Sequence, residues 1–358
     1  MKILVRGTNW IGDAVMSIPA MKQIRRIFPE ANITLHTRTW ADGLFANAPF
    51  IDELVTFDKS RWAAKDVYEN SRFLKGDAYD MAIVLPNSFE SALTSFMSSI
   101  PARFGYNRDL RGLLLTDPIP VPEWKNRRHE VYYYLNLIAE VERRTLGRET
   151  VSEEQPDTRL SISDDQKANA RRILREAGVN TTRKIIAFGV GSRNSIAKRW
   201  PAKHFATLAN ALVRDLKASV ILIGSPEESS VASEVVGAAG DAVTDLVGKT
   251  KLAEAISILS VADLMISNDM GLAHVSPSVG TPTIVLFGPT NPTTTRPWGD
   301  DVQVMQRRVN CEYCDRKDDS ERHVCSKWSS VEEVHAAAVD TLIPKDNADQ
   351  TTVSLELT

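Results

Sequence analysis

Short apolar runs alternate with stretches of helical periodicity along nearly the whole chain. A short run of β-branched and aliphatic residues predicts a strand, whereas apolar residues three and four apart predict a helix. In the first half, the pattern predicts strands at 2–6, 32–36, 53–57, 81–85 and 103–106, and helices at 14–27, 60–73, 88–98 and 130–141. In the second half, it predicts strands at 184–188, 219–223, 263–267 and 283–287, and helices at 202–216, 227–239, 252–259, 271–279 and 331–341.

The alternation of strands and helices predicts an α/β fold in which helices cover both faces of parallel sheets. The segment 143–165 interrupts it, because that segment is charged, contains Pro156 and has almost no apolar pattern. We therefore predict two α/β lobes, at 1–160 and 161–345, followed by a polar tail at 346–358. Ligands bind at the carboxyl ends of strands in such sheets, so a cleft between the lobes is the expected site.

Composition narrows the class of protein. The 358 residues are 43% hydrophobic and 25% charged, with 43 Lys and Arg against 46 Asp and Glu. A net charge of -3 excludes a strongly basic nucleic-acid coat and an acidic disordered chain. Three cysteines are too few for a disulfide framework and favour a reducing compartment. No apolar stretch is long enough to span a bilayer, and MKILVRG is typical of a first strand rather than a signal peptide. We predict a cytoplasmic protein.

The loop after the first strand reads GTNWIGDA, from Gly7 to Ala14. Its spacing is not the G-x-G-x-x-G of a dinucleotide fold, and no acidic residue follows near the end of the second strand, so a nicotinamide dehydrogenase is disfavoured. Asp13 stands where the loop enters a helix. Two interpretations stay open for this carboxylate: it caps the helix, or it acts as a general base in the cleft.

The loop after the strand at 184–188 combines glycines with hydroxyl, amide and cationic side chains, including Arg193, Lys198 and Arg199. This mixture predicts a cradle for a diphosphate, although a solvated basic loop is the alternative. The loop alone does not single out Lys198 among its cations.

A third loop, SNDMGLAH from Ser267 to His274, joins a buried strand to a helix. Free backbone N–H groups and the positive end of the helix dipole make such a helix N-terminus an anion site. His274 lies one turn into the helix, so it either contributes to this site or serves as a structural histidine.

Two further groups of residues are candidate binding sites, one for zinc and one for an anionic ligand. Cys311, Cys314, His323 and Cys325 could hold a structural zinc, but only one C-x-x-C pair is present, which favours free cysteines. The stretch 103–128 carries an excess of cations, interleaved with Tyr106 and Trp124: Arg103, Arg108, Arg111, Lys125, Arg127 and Arg128. No nucleic-acid recognition motif accompanies them, so an acceptor rich in carboxylates or phosphates is the favoured ligand.

Six stretches together resemble the ADP-heptose:lipopolysaccharide heptosyltransferases, which form glycosyltransferase family 9. They are KILVRGTNWIGDAVMSIPAMKQIR, LPNSFESAL, ARFGY, AKRWPAKHF, SNDMGLAHVSPSVGTPTIVLFGPTNP and the segment from CEYC to HVC. The resemblance runs in register from residue 2 to about residue 341 and is greater to the type II members than to type I, mainly through NSFESAL and the cysteines. The segment lacks the further cysteine that commoner members carry, which argues against zinc.

The resemblance implies a GT-B architecture of two Rossmann-like lobes, with the acceptor bound by the first lobe and the nucleotide-sugar by the second. It implies neither a cofactor nor a divalent metal, since ADP-heptose is a substrate. Asp13 matches the family's catalytic base, Lys198 its diphosphate lysine, Glu227 a nucleoside contact and Thr250 a position near the base. The full set of matched nucleotide-sugar positions is Gly191, Ser192, Lys198, Glu227, Thr250, Asp269, Met270, Gly271 and His274. For the acceptor, we predict contacts from Asn87, Arg103, Arg108, Arg127 and Arg128.

The expected reaction is an inverting, metal-independent transfer of heptose from ADP-L-glycero-β-D-manno-heptose to an inner-core heptose of nascent, lipid A-anchored lipopolysaccharide. Near a helix N-terminus, Asp13 should be ionised at pH 7 and only weakly basic. The lipid-anchored acceptor implies peripheral contact with the cytoplasmic face of the inner membrane, and no nucleic-acid partner. The alternatives are a GT-B enzyme with another nucleotide-sugar or acceptor, and a non-catalytic nucleotide- or glycan-binding module.

Overall fold

Two six-stranded parallel sheets form the framework of the protein in a computed structural model, which describes residues 1–192, 195–307 and 329–343. The first sheet has the order β3-β2-β1-β4-β5-β6, with β1 Lys2–Arg6, β2 Asn32–Arg38, β3 Glu53–Phe57, β4 Met81–Val84, β5 Ala102–Tyr106 and β6 Asp117–Ile119. The second has the order β12-β11-β10-β7-β8-β9, with β7 Ile185–Gly189, β8 Ser219–Leu222, β9 Val243–Asp245, β10 Leu264–Asn268, β11 Thr283–Leu286 and β12 Val302–Met305. The predicted α/β class with parallel sheets is confirmed.

Helices connect the strands within each sheet. The first lobe, built on the first sheet, contains α1 Ile11–Ile27, α2 Asp42–Phe45, α3 Ala63–Lys75, α4 Phe89–Met97 and α5 Glu130–Leu146. The second lobe contains α6 Asp164–Glu176, α7 Ala202–Leu216, α8 Ser229–Ala239, α9 Leu252–Leu259, α10 Gly271–Ser278, α11 Pro292–Thr295 and α12 Val331–Leu342. Within the described ranges, no helix combines the length and the apolar character that crossing a bilayer would need.

The prediction that the whole segment 143–165 interrupts the regular structure is partly wrong. Helix α5 continues to Leu146 and α6 begins at Asp164, so only 147–163 is irregular. The hydrophobic pattern did not predict helix α6, because only two of its side chains, Ala170 and Leu174, are buried. A capping box starts it, in which Ser163 and Gln166 each accept a hydrogen bond from the other's backbone N–H. The exact lobe boundaries stay predictions.

One apolar cluster extends across both lobes, and the second lobe has a further core of its own. Val15 and Ile18 of α1 belong to the same buried cluster as Leu272 and Val275 of α10. Helix α1 packs directly on α10, and α2 packs on α9. The loop from β1 and the loop from β10 are therefore held against each other, which places the predicted base next to the predicted nucleotide-sugar motif.

Candidate active site

A cavity of about 300 Å³ lies beyond the carboxyl ends of β1 and β4. Three segments of the first lobe and one residue of the second lobe line it: Thr8, Asn9, Trp10 and Asp13; Leu85, Pro86, Asn87 and Ser88; Lys125, Glu130, Tyr133 and Tyr134; and Thr295. Carboxyl ends of parallel strands are where open α/β sheets bind ligands. The cavity therefore lies where the sequence predicted the cleft.

Asp13 is the carboxylate in the first turn of α1. Trp10 occupies the N-cap position of this helix and makes no side-chain cap hydrogen bond, so the alternative in which Asp13 caps the helix is wrong. Protein groups surround the carboxylate, and the side chain keeps only part of its surface exposed. Burial, followed by the negative charge of Glu130, raises the pKa of Asp13 to about 6, against the opposing effects of Lys125 and a Tyr134 hydrogen bond.

The raised pKa means that Asp13 is more basic than the sequence led us to expect. A carboxylate with a pKa of about 6 is still roughly 90% ionised at pH 7, and it accepts a proton more readily than an ordinary aspartate. The helix N-terminus favours the ionised form, but desolvation outweighs that effect. Asp13 therefore combines the ionisation and the basicity that a general base requires.

The opposite wall of the cavity comes from the start of α5. Lys125 Nζ pairs with Glu130 Oε1 and lies 4.3 Å from the centre of the Tyr133 ring. The Tyr133 hydroxyl donates to Asn87 Oδ1 at 3.3 Å. The sequence pattern did not indicate Glu130, Tyr133 and Tyr134 as site residues, and it indicated Lys125 only as part of the basic stretch. The available signal was the polar and aromatic run EVYYY at the start of a predicted helix.

In the second lobe, Lys198 and Asp269 form an ion pair with Nζ to Oδ2 at 2.5 Å. The Thr290 hydroxyl donates to the same carboxylate oxygen at 2.9 Å. Asn268 links the two loops, since its side chain donates to the Val190 carbonyl and accepts from the Trp200 backbone N–H. The structure thus places the predicted diphosphate lysine beside the residue that precedes the α10 N-terminus.

The N-termini of α1 and α10 meet at two glycines. A Cβ added to Gly12 would lie 2.9 Å from His274 Cδ2, and one added to Gly271 would lie 2.9 Å from Ile11 Cβ. Both distances are too short for a real side chain, so the close approach requires glycine. Burial lowers the pKa of His274 to about 4. His274 is therefore neutral at pH 7, and its Nδ1 has no hydrogen-bond partner among the described residues.

The other predicted nucleotide-sugar residues follow strands of the second sheet, at the same edge. Gly191 packs on the buried carboxylate of Glu228, whose pKa burial raises. Ser192 is buried. Glu227 is exposed after β8, and the Thr250 hydroxyl, after β9, is buried without a partner in the described chain. Because these strands are parallel, their following loops gather at one edge.

The structure does not bring the predicted acceptor arginines to the Asp13 cavity. Arg103 donates to the carbonyls of Leu114 and Ile100, and Arg108 and Arg127 are exposed. Arg128 lines a different cavity. Of the five predicted acceptor residues, Asn87 alone lines the cavity. A basic run in sequence does not share one face, because successive residues here belong to a strand, a turn and loops.

Arg111, from the same basic stretch, is fully buried and donates to the carbonyls of Tyr106 and Pro86. Its guanidinium thereby holds the Pro86–Asn87 wall of the cavity in place. The residues considered for zinc, for which the sequence favours free cysteines instead, lie outside the described residues: Cys311, Cys314, His323 and Cys325. In the part of the chain that is described, no group of three or more His, Cys, Asp or Glu side chains could hold a metal ion.

The chain is similar in sequence to proteins of one known family. A model of "Glycosyltransferase family 9 (heptosyltransferase)" matches residues 67–325. Lipopolysaccharide heptosyltransferase 2 of Escherichia coli K12 is 29% identical over 315 residues, covering 86% of this chain and 88% of that protein. Lipooligosaccharide heptosyltransferase 2 of Haemophilus influenzae is 29% identical over 317 residues, again 86% of this chain and 88% of that protein.

Solved structures of similar fold include proteins of the same family. The structure of E. coli ADP-heptose LPS heptosyltransferase II superposes with a TM-score of 0.79 at 26% identity, covering 96% of this chain and 98% of that one. A glycosyl transferase family 9 protein from Veillonella parvula has the same fold, with a TM-score of 0.81 at 23% identity, covering 96% of this chain and 98% of that one. The expected GT-B architecture is confirmed.

Proposed function

Since the chain belongs to glycosyltransferase family 9, the heptosyltransferases, we propose that it transfers L-glycero-D-manno-heptose from ADP-heptose to an inner-core heptose of a lipid A-anchored acceptor. One observation carries the proposal: the Asp13 carboxylate lines a first-lobe cavity, and α1, which holds it, packs against the helix N-terminus that follows Asp269. Relatives named lipopolysaccharide heptosyltransferase 2 support the choice of sugar and acceptor.

In the proposed reaction, the acceptor hydroxyl attacks the anomeric carbon in a single displacement that inverts its configuration. Asp13 accepts the hydroxyl proton as the new bond forms, and its pKa of about 6 suits a base that works near neutral pH. General-base help of this kind is typically worth ~10²–10⁴-fold in rate. Asn87 and Tyr133, which are hydrogen-bonded to each other in the cavity wall, are placed to orient the acceptor sugar.

The departing ADP carries negative charge on its diphosphate. Lys198 and the free N–H groups at the start of α10 supply positive charge at that point, so the proposal needs no divalent ion and no cofactor. Asp269 holds Lys198 through the 2.5 Å ion pair, and Thr290 steadies Asp269. Glu227, Thr250, Gly191 and Ser192 are the proposed contacts to the nucleoside half of the donor.

We also propose peripheral contact with the cytoplasmic face of the inner membrane, because the acceptor is lipid-anchored. The loop after β5 supports this, since Leu110 and Leu113 are 89% and 93% exposed, far more than buried leucines of the core. In the same loop, the exposed Arg108 pairs with Asp109 at 3.7 Å, so the exposed leucines rather than a net positive charge support the membrane contact. A loop of this kind was not expected from the sequence, in which no amphipathic anchor stands out.

Mass spectrometry of the product tests the reaction. ADP-heptose and truncated core lipopolysaccharide are incubated with the enzyme, and we expect the acceptor to gain one heptose. Asp13→Asn should bind ADP with near wild-type affinity in calorimetry and lose transfer by about 10²–10⁴-fold. Transfer at the wild-type rate by this variant would remove Asp13 from the role of base.

Two further measurements address the alternatives. If a panel of nucleotide-sugars in a thermal-shift assay stabilises the protein more with a donor other than ADP-heptose, the donor assignment is wrong. If ADP is never released in an acceptor-dependent manner, the chain is a binding module rather than the proposed enzyme.

A further inference from the structure

A second cavity, of about 510 Å³, lies between the lobes. The first lobe contributes Arg128, His129 and Tyr132 to its wall, and the second lobe contributes Arg296 and Trp298. We propose that this cavity binds an acidic saccharide unit of the acceptor, that is, a sugar that carries a carboxylate or a phosphate. The proposal rests on the proposed transferase function, in which the acceptor is an anionic oligosaccharide.

Two guanidinium groups supply the charge. The Arg128 guanidinium lies 4.2 Å from the centre of the Tyr132 ring and 4.9 Å from that of Trp124, which fixes its plane. Its ion pair with Glu153, at 2.8 Å, joins side chains that are 38% and 41% exposed. Exposed pairs of this kind are weak in water, so an incoming oxyanion can replace Glu153. A guanidinium binds a carboxylate or a phosphate through two parallel hydrogen bonds.

Arg296 is the second cation and approaches from the other lobe. Its guanidinium lies 5.9 Å from the centre of the Trp298 ring, and no carboxylate of the described residues pairs with it. Burial lowers the pKa of His129 to about 4, so this histidine adds no charge at pH 7. The cavity therefore presents arginine charge from both lobes, which selects an anionic ligand.

Aromatic rings supply the sugar-binding surface. Trp298 meets Tyr132 edge to face at 5.5 Å and lies 4.8 Å from His129. Flat apolar surfaces beside a few well-placed polar groups are typical of small-molecule sites. The C–H face of a pyranose ring can pack on such a surface while the arginines hold its acidic group.

A hydrogen bond across the lobes separates this cavity from the one that contains Asp13. His129 Nε2 donates to the Arg296 carbonyl at 2.7 Å, and His129 Nδ1 accepts from the Val131 backbone N–H. Glu130, which follows His129 in the chain, and Thr295, which precedes Arg296, line the Asp13 cavity instead. The two cavities are therefore adjacent. An acceptor of several sugars can place its reacting hydroxyl at Asp13 and an acidic neighbour between the arginines.

Saturation-transfer NMR tests binding directly, on the full chain with ADP at saturating concentration to block the diphosphate site. The probes are glucuronate, glucose 6-phosphate and glucose. We expect at least one acidic sugar to give a signal that Arg128→Gln and Arg296→Gln each reduce about fivefold or more, and no signal from glucose. A signal from glucuronate alone identifies a carboxylate site, and one from glucose 6-phosphate alone a phosphate site.

Arg143→Gln is the matched control, because Arg143 lies near the far end of α5, is 46% exposed and pairs with Glu140. It should keep the wild-type signal. Equal signals from the wild type and both cavity variants, or none from either acidic sugar, would overturn the proposal.

Kinetics separate this proposal from the proposed function. Both cavity variants should raise the acceptor KM about tenfold or more, with the donor KM and the kcat at saturating acceptor kept near wild type. An unchanged acceptor KM would show that the cavity is not an acceptor site, while heptosyl transfer itself would stand. If no heptosylated product forms at all, the transferase assignment fails, and the NMR measurement still judges the cavity.

Discussion

At the scale of single residues, the chemistry of Asp13 depends on neighbours far away in the sequence. Glu130 raises its pKa, whereas Lys125 and Tyr134 lower it, and all three belong to the segment 125–134. Lys125 and Glu130 also pair with each other, so they act on Asp13 as one unit. The pairing predicts that a change at Glu130 acts twice, by removing a negative charge and by freeing a positive one.

The pH dependence of the reaction tests this arrangement. Protonated Asp13 cannot accept the hydroxyl proton, so kcat/KM for the acceptor should rise with pH through about 6 and then level off. Glu130→Gln should move the midpoint to lower pH, because both of its effects favour the ionised carboxylate. Glu140→Gln, on the same helix but in a partly exposed pair with Arg143, should leave the midpoint in place. A midpoint that Glu130→Gln does not move would contradict the coupling.

Lys198 is the residue whose loss should weaken ADP binding. Lys198→Ala removes the cation that pairs with Asp269 and leaves this buried carboxylate with the Thr290 hydroxyl as its remaining described side-chain partner. We expect the Kd for ADP to rise about tenfold or more in calorimetry, because hydrogen bonds between charged partners are worth about 1.5–3 kcal/mol. The matched control is Lys203→Ala, an exposed lysine of α7. Wild-type affinity in Lys198→Ala would place the diphosphate site elsewhere.

At the scale of elements, the helices that carry Asp13 and His274 approach each other closely. Gly12 and Gly271 permit this approach, and a methyl group at either position would push α1 away from α10. Asp13, the proposed base, and His274, a proposed donor-site residue, lie near the starts of these helices, so their spacing depends on this contact.

Gly12→Ala should therefore lower kcat by about 10²-fold, a loss typical of a misplacement of about 1 Å. The Kd for ADP should change far less than kcat, because the nearest contacts of the added methyl group are atoms of His274 and not the Lys198–Asp269 ion pair. Gly237→Ala in α8 is the control, since a Cβ there meets nothing within 4 Å. Full activity in Gly12→Ala would show that the close approach does not position the base.

Elements also differ in how well the pattern of the sequence predicted them. Helices α7 and α9 have the predicted bounds. The buried residues of α7 recur at helical spacing, whereas α9 buries five consecutive residues, 255–259. Strands β6, β9 and β12 were not predicted, since each is three or four residues long and only partly buried. Short edge strands depend on the neighbouring strand for their hydrogen bonds, and the local sequence pattern does not indicate which strand that neighbour is.

At the scale of the whole molecule, the exposed loop that contains Leu110 and Leu113 is the surface through which we propose that the protein contacts a membrane. Leu110→Glu together with Leu113→Glu should reduce sedimentation with vesicles of anionic phospholipid by about fivefold or more, because each change replaces apolar surface with negative charge. Transfer to a water-soluble truncated acceptor should be unchanged. Leu146→Glu, an exposed leucine at the end of α5, is the control. Equal sedimentation of all variants would contradict the proposed contact.

The sequence by itself determined the α/β class, the strands that carry the site loops and the residues of those loops, since apolar periodicity and loop composition are local properties of a chain. Loop composition pointed to Asp13 and to the loop 267–274 for that reason, whereas only the family resemblance singled out Lys198 among the cations of its loop. The tertiary structure alone decided which side chains surround them. The pKa of Asp13, the glycine contact between α1 and α10 and the separate cavity of Arg128 all depend on distances between residues far apart in the chain. Burial and charge act through space, so these properties appear only once the two lobes are packed together.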